Sequence, residues 1–238
     1  MKLDLLVFAA HPDDAELGCA GTIAGLTAMG KKVGIIDLTE GEMSTRGNVE
    51  VRRTEAAEAA KILGVTVREN LGLKDAFFKN DWLEQESVIR VIRRYRPERV
   101  IANAVSDRHP DHGRASRLVR QAVFMAGLKK IITIDGEEEQ MPFRPMSTYH
   151  YIQNDYIEPD FIVDISDQWD KKIVAIRAFG SQFYDPDSKE PETFISKSDF
   201  LVFIEARARE LGHRIGVDYA EGFTSDKKPG VKDLFDLI

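Results

Sequence analysis

The chain has 238 residues, 43% of them hydrophobic and 31% charged, which is an ordinary globular composition and not a disordered one. A formal net charge of −7 argues against a dedicated nucleic-acid binder, which needs a basic excess to neutralise phosphates. The single cysteine, Cys19, forbids an intrachain disulfide, and the early apolar run LLVFAA is too short for a signal h-region or a bilayer span. The expectation is a cytoplasmic protein with neither a nucleic-acid nor a membrane partner.

The first half alternates strand and helix. LDLLVFAA (3–10) is a short apolar run, as expected of a strand buried on both faces. Residues 14–30 place Leu17, Ala20, Ile23, Ala24 and Leu26 near helical spacing, with Gly30 as the stop. KVGIIDLT (32–39) is a second strand, residues 48–64 a helix ending on glycine, and residues 65–73 hold a short third strand. Residues 81–96 form an amphipathic helix stopped by Pro97; its basic run RVIRRYRPER reads as the solvated face of that helix. RVIANA (99–104) is a fourth strand and residues 112–127 a fourth helix.

The second half is less regular. Residues 148–153 and 160–165 read as strands, residues 168–179 and 198–212 as helices, and 180–194 as a polar surface loop, either a lid or a connector. No linker or long repeat divides residues 1–238. The alternation predicts an α/β, Rossmann-like three-layer fold, one domain with a mostly parallel sheet.

Two similar motifs stand about a hundred residues apart: AAHPDDAEL (9–17) directly after the first strand and DRHPDHGRA (107–115) after the fourth. In a doubly wound sheet of order 3-2-1-4, strands one and four are neighbours where the winding reverses. Ligands bind in the crevice at their carboxyl ends. The motifs would therefore share one site. A dinucleotide is a poor fit, because the first turn has no glycine until Gly18.

His11, Asp13, Asp14, His109, Asp111 and His112 would converge there. Two histidines and a carboxylate form a catalytic zinc set with an open position for water. A spare carboxylate would then serve as general base, and a spare histidine as oxyanion stabiliser or acid. Asp111 is a candidate partner that fixes the tautomer of a histidine. Spacing does not say which aspartate binds metal, and His11, Asp13 and His112 also match an iron facial triad, so Fe2+ stands as an alternative to Zn2+. Arg52 or Arg108 offers a bidentate partner to a substrate carboxylate. His150, His213 and Cys19 read as structural. A non-enzymatic metal- or sugar-binding protein would have no need of both spares.

On AAHPDDAELGCAGT, RHPDHGRA, RRTEAAEAAKILG and GVDYAEGF, which run from residue 9 to residue 223, the chain resembles the LmbE-like (PIG-L) zinc-dependent N-acetylglucosaminyl deacetylases. SQFYDP and EARARELG are most similar to the bacillithiol-biosynthesis branch. The resemblance implies a Rossmann-like fold and hydrolysis of an N-acetyl group from an amino-sugar conjugate. In that branch the conjugate is N-acetylglucosaminyl-malate; other relatives act on chitooligosaccharides. By motif position it implies His11, Asp14 and His112 as zinc ligands and Asp13 as base. It further implies His109 as oxyanion stabiliser or acid with Asp111 as its partner, Arg52 as a substrate contact, and a homo-oligomer of hexameric type.

Overall fold

The computed structural model describes residues 1–238, apart from the side chain of Asp236. Strands β1 (Leu5–Ala9), β2 (Val33–Thr39), β3 (Val67–Leu73) and β4 (Arg99–Ala102) alternate with helices α1 (Asp14–Ala28), α2 (Val49–Leu63), α3 (Trp82–Tyr95) and α4 (Pro110–Ala126). A two-residue-per-strand hairpin, β5 (Ile134–Asp135) and β6 (Glu138–Glu139), leads to β7 (Ser147–Tyr151) and β8 (Phe161–Asp164). Helices α5 (Trp169–Arg177) and α6 (Phe200–Ile215) and strand β9 (Ala220–Ser225) follow. The main sheet has the order β3-β2-β1-β4-β7-β9-β8. The expected 3-2-1-4 winding is therefore present, with β1 parallel to both β2 and β4.

β1 and β2 are buried along their whole length, which explains their uninterrupted apolar sequence: helices cover both faces of the sheet. Alternation along β1 splits the core. Leu6 and Phe8 pack with Val88, Ile92, Leu118 and Val119 of α3 and α4. Leu5, Val7 and Ala9 face Ala20, Ile23 and Leu63 of α1 and α2 on the other side.

Three details depart from the sequence reading. The GVDYAEGF stretch supplies an unforeseen strand: β9 inserts between β7 and β8 and runs antiparallel to both. The basic run of α3 is not a solvated face. Arg93 is buried and donates to the carbonyls of Ala126, Leu128 and Ile131 and to Thr133 Oγ1. It thereby satisfies the carbonyls at the end of α4 and in the turn that follows, a role that charge patterning does not reveal. Arg94 pairs with Glu69 and Asp135.

Third, α1 is broken at Cys19, whose backbone (φ −148°, ψ 23°) leaves the helical region. A buried ion pair bridges the break. Glu221 of β9 accepts from the N–H groups of Gly21 (2.9 Å) and Thr22 (2.8 Å), and Lys172 of α5 donates to the Leu17 carbonyl (2.9 Å) and to Glu221 (2.6 Å). The pair takes over hydrogen bonds the kinked helix cannot make for itself. Glu221→Ala strands the Lys172 ammonium and is expected to cost about 3–5 kcal/mol by urea unfolding. The Glu221→Met/Lys172→Met double variant, with neither charge left, should unfold at higher urea than the single variant. A double variant weaker than the single one would show that the ion pair is not what the break depends on.

Candidate active site

The two motifs meet at the carboxyl ends of β1 and β4, and each opens a helix. Asp13 is the N-cap of α1 with Asp14 its first residue; His109 is the N-cap of α4, with Pro110 next. Both helix N-termini point their free N–H groups and positive dipole ends at the crevice, which favours anions there.

Asp14 is the junction. Its Oδ2 accepts from the His11 N–H (3.0 Å) and Asn103 Nδ2 (3.0 Å), and its Oδ1 accepts from Gln153 Nε2 (2.9 Å). His112 Nε2 lies 3.0 Å from Oδ1 and His11 Nδ1 lies 3.5 Å from Oδ2. The far nitrogen of each ring meets another carboxylate. His11 Nε2–H donates to Asp75 (2.9 Å) and His112 Nδ1–H to Asp107 (2.5 Å). This holds His11 Nδ1 and His112 Nε2 turned toward Asp14, the arrangement that frees one nitrogen of each ring for a cation.

Other groupings of donor atoms exist: the three histidines lie together, as do His11, Asp75 and Asp111. Asp14 is the carboxylate that His11 and His112 share. The protonation of these groups bears on a cation. Burial disfavours a charged His11, yet the Asp111, Asp14 and Asp75 carboxylates around it hold its pKa well above the ordinary imidazole value. Burial opposes a charged His112 too, but Asp14 and Asp107 raise it to about 9. Burial would likewise raise Asp14, and the two histidines hold it well below the usual carboxylate range. The cluster demands positive charge, which protons supply in the free chain and a divalent cation would replace.

Asp13 differs from its neighbour. Its φ of 119° is one of three positive values on non-glycine residues, a conformation costing of order 1–3 kcal/mol. Arg52 holds it there, donating to Asp13 Oδ2 (3.0 Å) and to the Pro12 carbonyl. Burial and the charge of Asp14 push the Asp13 carboxyl up to about 7 against the pull of Arg52. A second positive φ falls on Ala76 (62°). That turn presents Asp75 to His11 and the Ala76 N–H to Asp111 (2.9 Å).

His109 and Asp111 do touch, but not as expected. The Asp111 backbone N–H donates to His109 Nδ1 (3.3 Å), which puts the proton of a neutral ring on Nε2. The Asp111 carboxylate turns inward instead, to the Ala76 N–H, Arg114 and the neighbourhood of His11 Nε2 (3.5 Å). The physical reason is helix-end geometry: His109 as N-cap takes the N–H two residues on, and the Asp111 side chain lies on the buried side of the first turn. Burial and the nearby charges of His11 and His112 keep the His109 pKa below the ordinary value.

Arg52, read as a substrate contact, is buried at the cavity wall and donates through Nη2 to Asp13 and the Pro12 carbonyl, while its buried Nε has no partner. Arg108 is exposed, its guanidinium 4.1 Å from the centre of the Phe194 ring. Asp75, Asp107, Asn103 and Gln153 were not foreseen as site residues. Asp107 was visible inside DRHPDH, but the other three come from loops and strand ends without a motif. His150 is buried behind the site and bonds the Asn103 carbonyl (3.0 Å) and Ser116 (3.0 Å). Cys19 is buried in the core, and burial pushes its thiol pKa well up.

The site opens into a cavity of about 360 Å3. The 180s loop forms part of its wall. Gln182 and Ser181 are tied to the β2–α2 loop: Gln182 donates to the Arg46 carbonyl (2.9 Å) and Arg46 to the Ser181 carbonyl (2.9 Å).

Fold and site together define a class: an α/β protein with a candidate His/Asp active site at the switch point of its sheet. The chain belongs to the PIG-L family (GlcNAc-PI de-N-acetylase), matching it over residues 6–123. It is 33% identical to the diacetylchitobiose deacetylase of Thermococcus kodakarensis, over 75% of this chain and 70% of that one. It is 30% identical to the 4-oxalmesaconate hydratase of Pseudomonas putida, over 74% of this chain and 73% of that one. The crystal structure of the conserved protein TT1542 from Thermus thermophilus superposes with a TM-score of 0.85 at 41% identity, covering 98% of each chain.

Two outcomes follow from the electrostatics. At pH 7 His112, raised to about 9, carries a proton that a metal must displace. Zn2+ titrations in two buffers of different ionisation enthalpy should therefore report release of at least one proton; no release would exclude His112 as a ligand. Asp75→Ala and Asp107→Ala should each weaken Zn2+ affinity about 10–100-fold, measured by competition with a chromophoric chelator.

Proposed function

We propose that the chain is a zinc-dependent deacetylase that removes the N-acetyl group from an N-acetylglucosaminyl conjugate with an anionic aglycone, namely N-acetylglucosaminyl-malate. The observation that carries the deacetylase reading is the contrast between the two adjacent aspartates. Asp14 is held as an anion between two histidines, while Asp13 is strained, buried and near neutral in pKa. A ligand and a base are thereby separated within one dipeptide, and a base poised near 7 suits proton transfer at physiological pH.

His11, Asp14 and His112 would hold the metal. Bound there, a divalent ion supplies Lewis-acid polarisation of the amide carbonyl and a lowered pKa for water. Asp13 takes the proton of the attacking water, its position fixed by Arg52. His109 presents its Nε2–H to the oxyanion that develops on the carbonyl oxygen, assisted by the N-terminus of α4. As the C–N bond breaks, the amine nitrogen leaves with the proton that Asp13 acquired. Arg108 supplies charge for the aglycone carboxylate at the exposed edge of the site. The buried Asn154 Oδ1, which lacks a partner, suits a sugar hydroxyl donor.

The hydratase relative makes water addition to a double bond the competing reading, and the assay separates the two. Metal-loaded protein should release acetate from N-acetylglucosaminyl-malate and leave 4-oxalmesaconate unchanged; the reverse would overturn the deacetylase reading. Asp13→Asn should lower kcat by about 10²–10⁴ with Zn2+ still bound, as checked by elemental analysis, and near wild-type turnover would remove Asp13 as base. Arg108→Ala should raise KM for the malate conjugate at least tenfold with little change for free N-acetylglucosamine; equal effects on both would sink the anionic-aglycone assignment.

A further inference from the structure

The cavity has two ends of different character. At the outer end stand Arg108, Phe194 and Met43, the last two 42% and 59% exposed. At the inner end it continues past Asp14 along α1 to Leu17, and runs between α6, β9 and the end of β7. There it is lined by Ile152, Ile204, Ala208, Leu211 and Ala220, all buried, Ala220 to 1%. On α6 the buried lining residues Phe200, Ile204, Ala208 and Leu211 recur at helical spacing as an apolar stripe, flanked by Phe203 and the half-buried Arg207, whose guanidinium donates to the Asn154 carbonyl.

The inner end is bordered by Lys172 and Glu221; both oxygens of Glu221 are taken, and Lys172 keeps a single N–H beyond its two partners. The ammonium is engaged with the Leu17 carbonyl and Glu221, and both carboxylate oxygens take donors from Lys172, Gly21 and Thr22. The arm therefore offers chiefly burial, with Arg207 at its flank and one Lys172 N–H at its end as its only charged donors. A sugar, with a hydroxyl on nearly every carbon, would lose most of its hydration there without replacement. A hydrocarbon chain would not.

An amide carbonyl carbon carries two substituents, the nitrogen with its sugar and the acyl group. With the carbonyl between Asp13 and His109, a sugar directed to the polar, open end leaves the acyl group directed into the apolar arm. We propose that this arm is an acyl-binding pocket and that the chain hydrolyses N-acylglucosaminyl amides with acyl chains longer than acetyl, of about four to six carbons. The inference rests on the amidohydrolase reading given above and extends its substrate class. The reaction is balanced as before. The oxygen of water bonds to the acyl carbon and the C–N bond breaks; the nitrogen takes up both protons of the water and leaves as the ammonium, and the short fatty acid leaves as its carboxylate.

Two measurements test this. The first compares kcat/KM for N-acetyl-, N-butanoyl- and N-hexanoylglucosaminyl-malate with metal-loaded protein, following the freed amine. Each CH2 buried is worth about 0.8 kcal/mol, close to fourfold, so the hexanoyl-to-acetyl ratio should be at least ten. Ala208→Val and then Ala208→Phe, which fill the arm stepwise, should reduce that ratio progressively in protein shown to be folded by circular dichroism. A ratio below ten overturns the proposal, and so does a ratio that the Ala208 variants do not change. An advantage that appears instead with alkyl glycosides of N-acetylglucosamine would assign the arm to the aglycone and overturn it equally.

The second is calorimetric titration of metal-free protein with N-acetylglucosamine and N-hexanoylglucosamine. Tighter binding of the hexanoyl compound by tenfold or more supports the pocket, and equal affinity overturns it. This titration decides the arm even if no amide is cleaved at all, an outcome that would remove the deacetylase reading by itself.

Discussion

One carboxylate ties the site to the fold. Asp14 receives the backbone N–H that follows β1, the amide of Asn103 that follows β4 and the amide of Gln153 that follows β7. Three adjacent parallel strands are thus gathered on one side chain at their carboxyl ends. The winding of the sheet makes this possible, because β1 and β4 become neighbours only where the crossovers change direction. The carboxylate also sets the electrostatics. Its charge raises His11, His112 and Asp13 together. A cation site and a near-neutral base therefore have a common origin.

Strain and charge are compensated locally. Asp13 sits in backbone space that a β-carbon disfavours, and Arg52 reaches across from α2 to hold both its carboxylate and the preceding carbonyl. The same guanidinium packs against Gly41, where a β-carbon would come within 2.5 Å of Arg52 Nη1. Gly41 also has positive φ, so both its conformation and its lack of a side chain are used. The geometry of the HPDD turn depends in this way on the β2–α2 loop, which in turn is clasped to the 180s loop through Arg46.

The strand–helix alternation, the 3-2-1-4 order and the meeting of the two HPD motifs were legible in the sequence, because buried parallel strands and helix caps leave strong periodic and compositional marks. What was not legible shares a physical cause. β9 is short, most of its residues are small or polar, and it runs antiparallel inside a parallel sheet, so no crossover pattern announces it. Arg93 is a charge in a basic run, and only the path of the chain after α4 makes it a buried cap. Asp75 acts on His11 from 64 residues away, through a turn whose one signature is a positive φ on Ala76. The partnership expected between Asp111 and His109 failed on side-chain direction, which spacing alone does not encode: consecutive positions of a helix's first turn face different ways.

The Lys172–Glu221 pair shows why the second half of the chain matters to chemistry carried by the first. A continuous α1 would direct its own N–H and carbonyl groups along its axis. The break at Cys19 instead exposes the Leu17 carbonyl and the Gly21 and Thr22 N–H groups, and an ion pair from α5 and β9 meets them. A charge-compensated pair at that point, its carboxylate fully bonded, borders the cavity while adding little polarity to it. The first turn of α1 can then present two carboxylates to the crevice while the turn behind it borders an apolar space. The same helix thus separates the reacting end of a substrate from the part that is only buried, and the ion pair that bridges its kink is what allows the two environments to lie one turn apart.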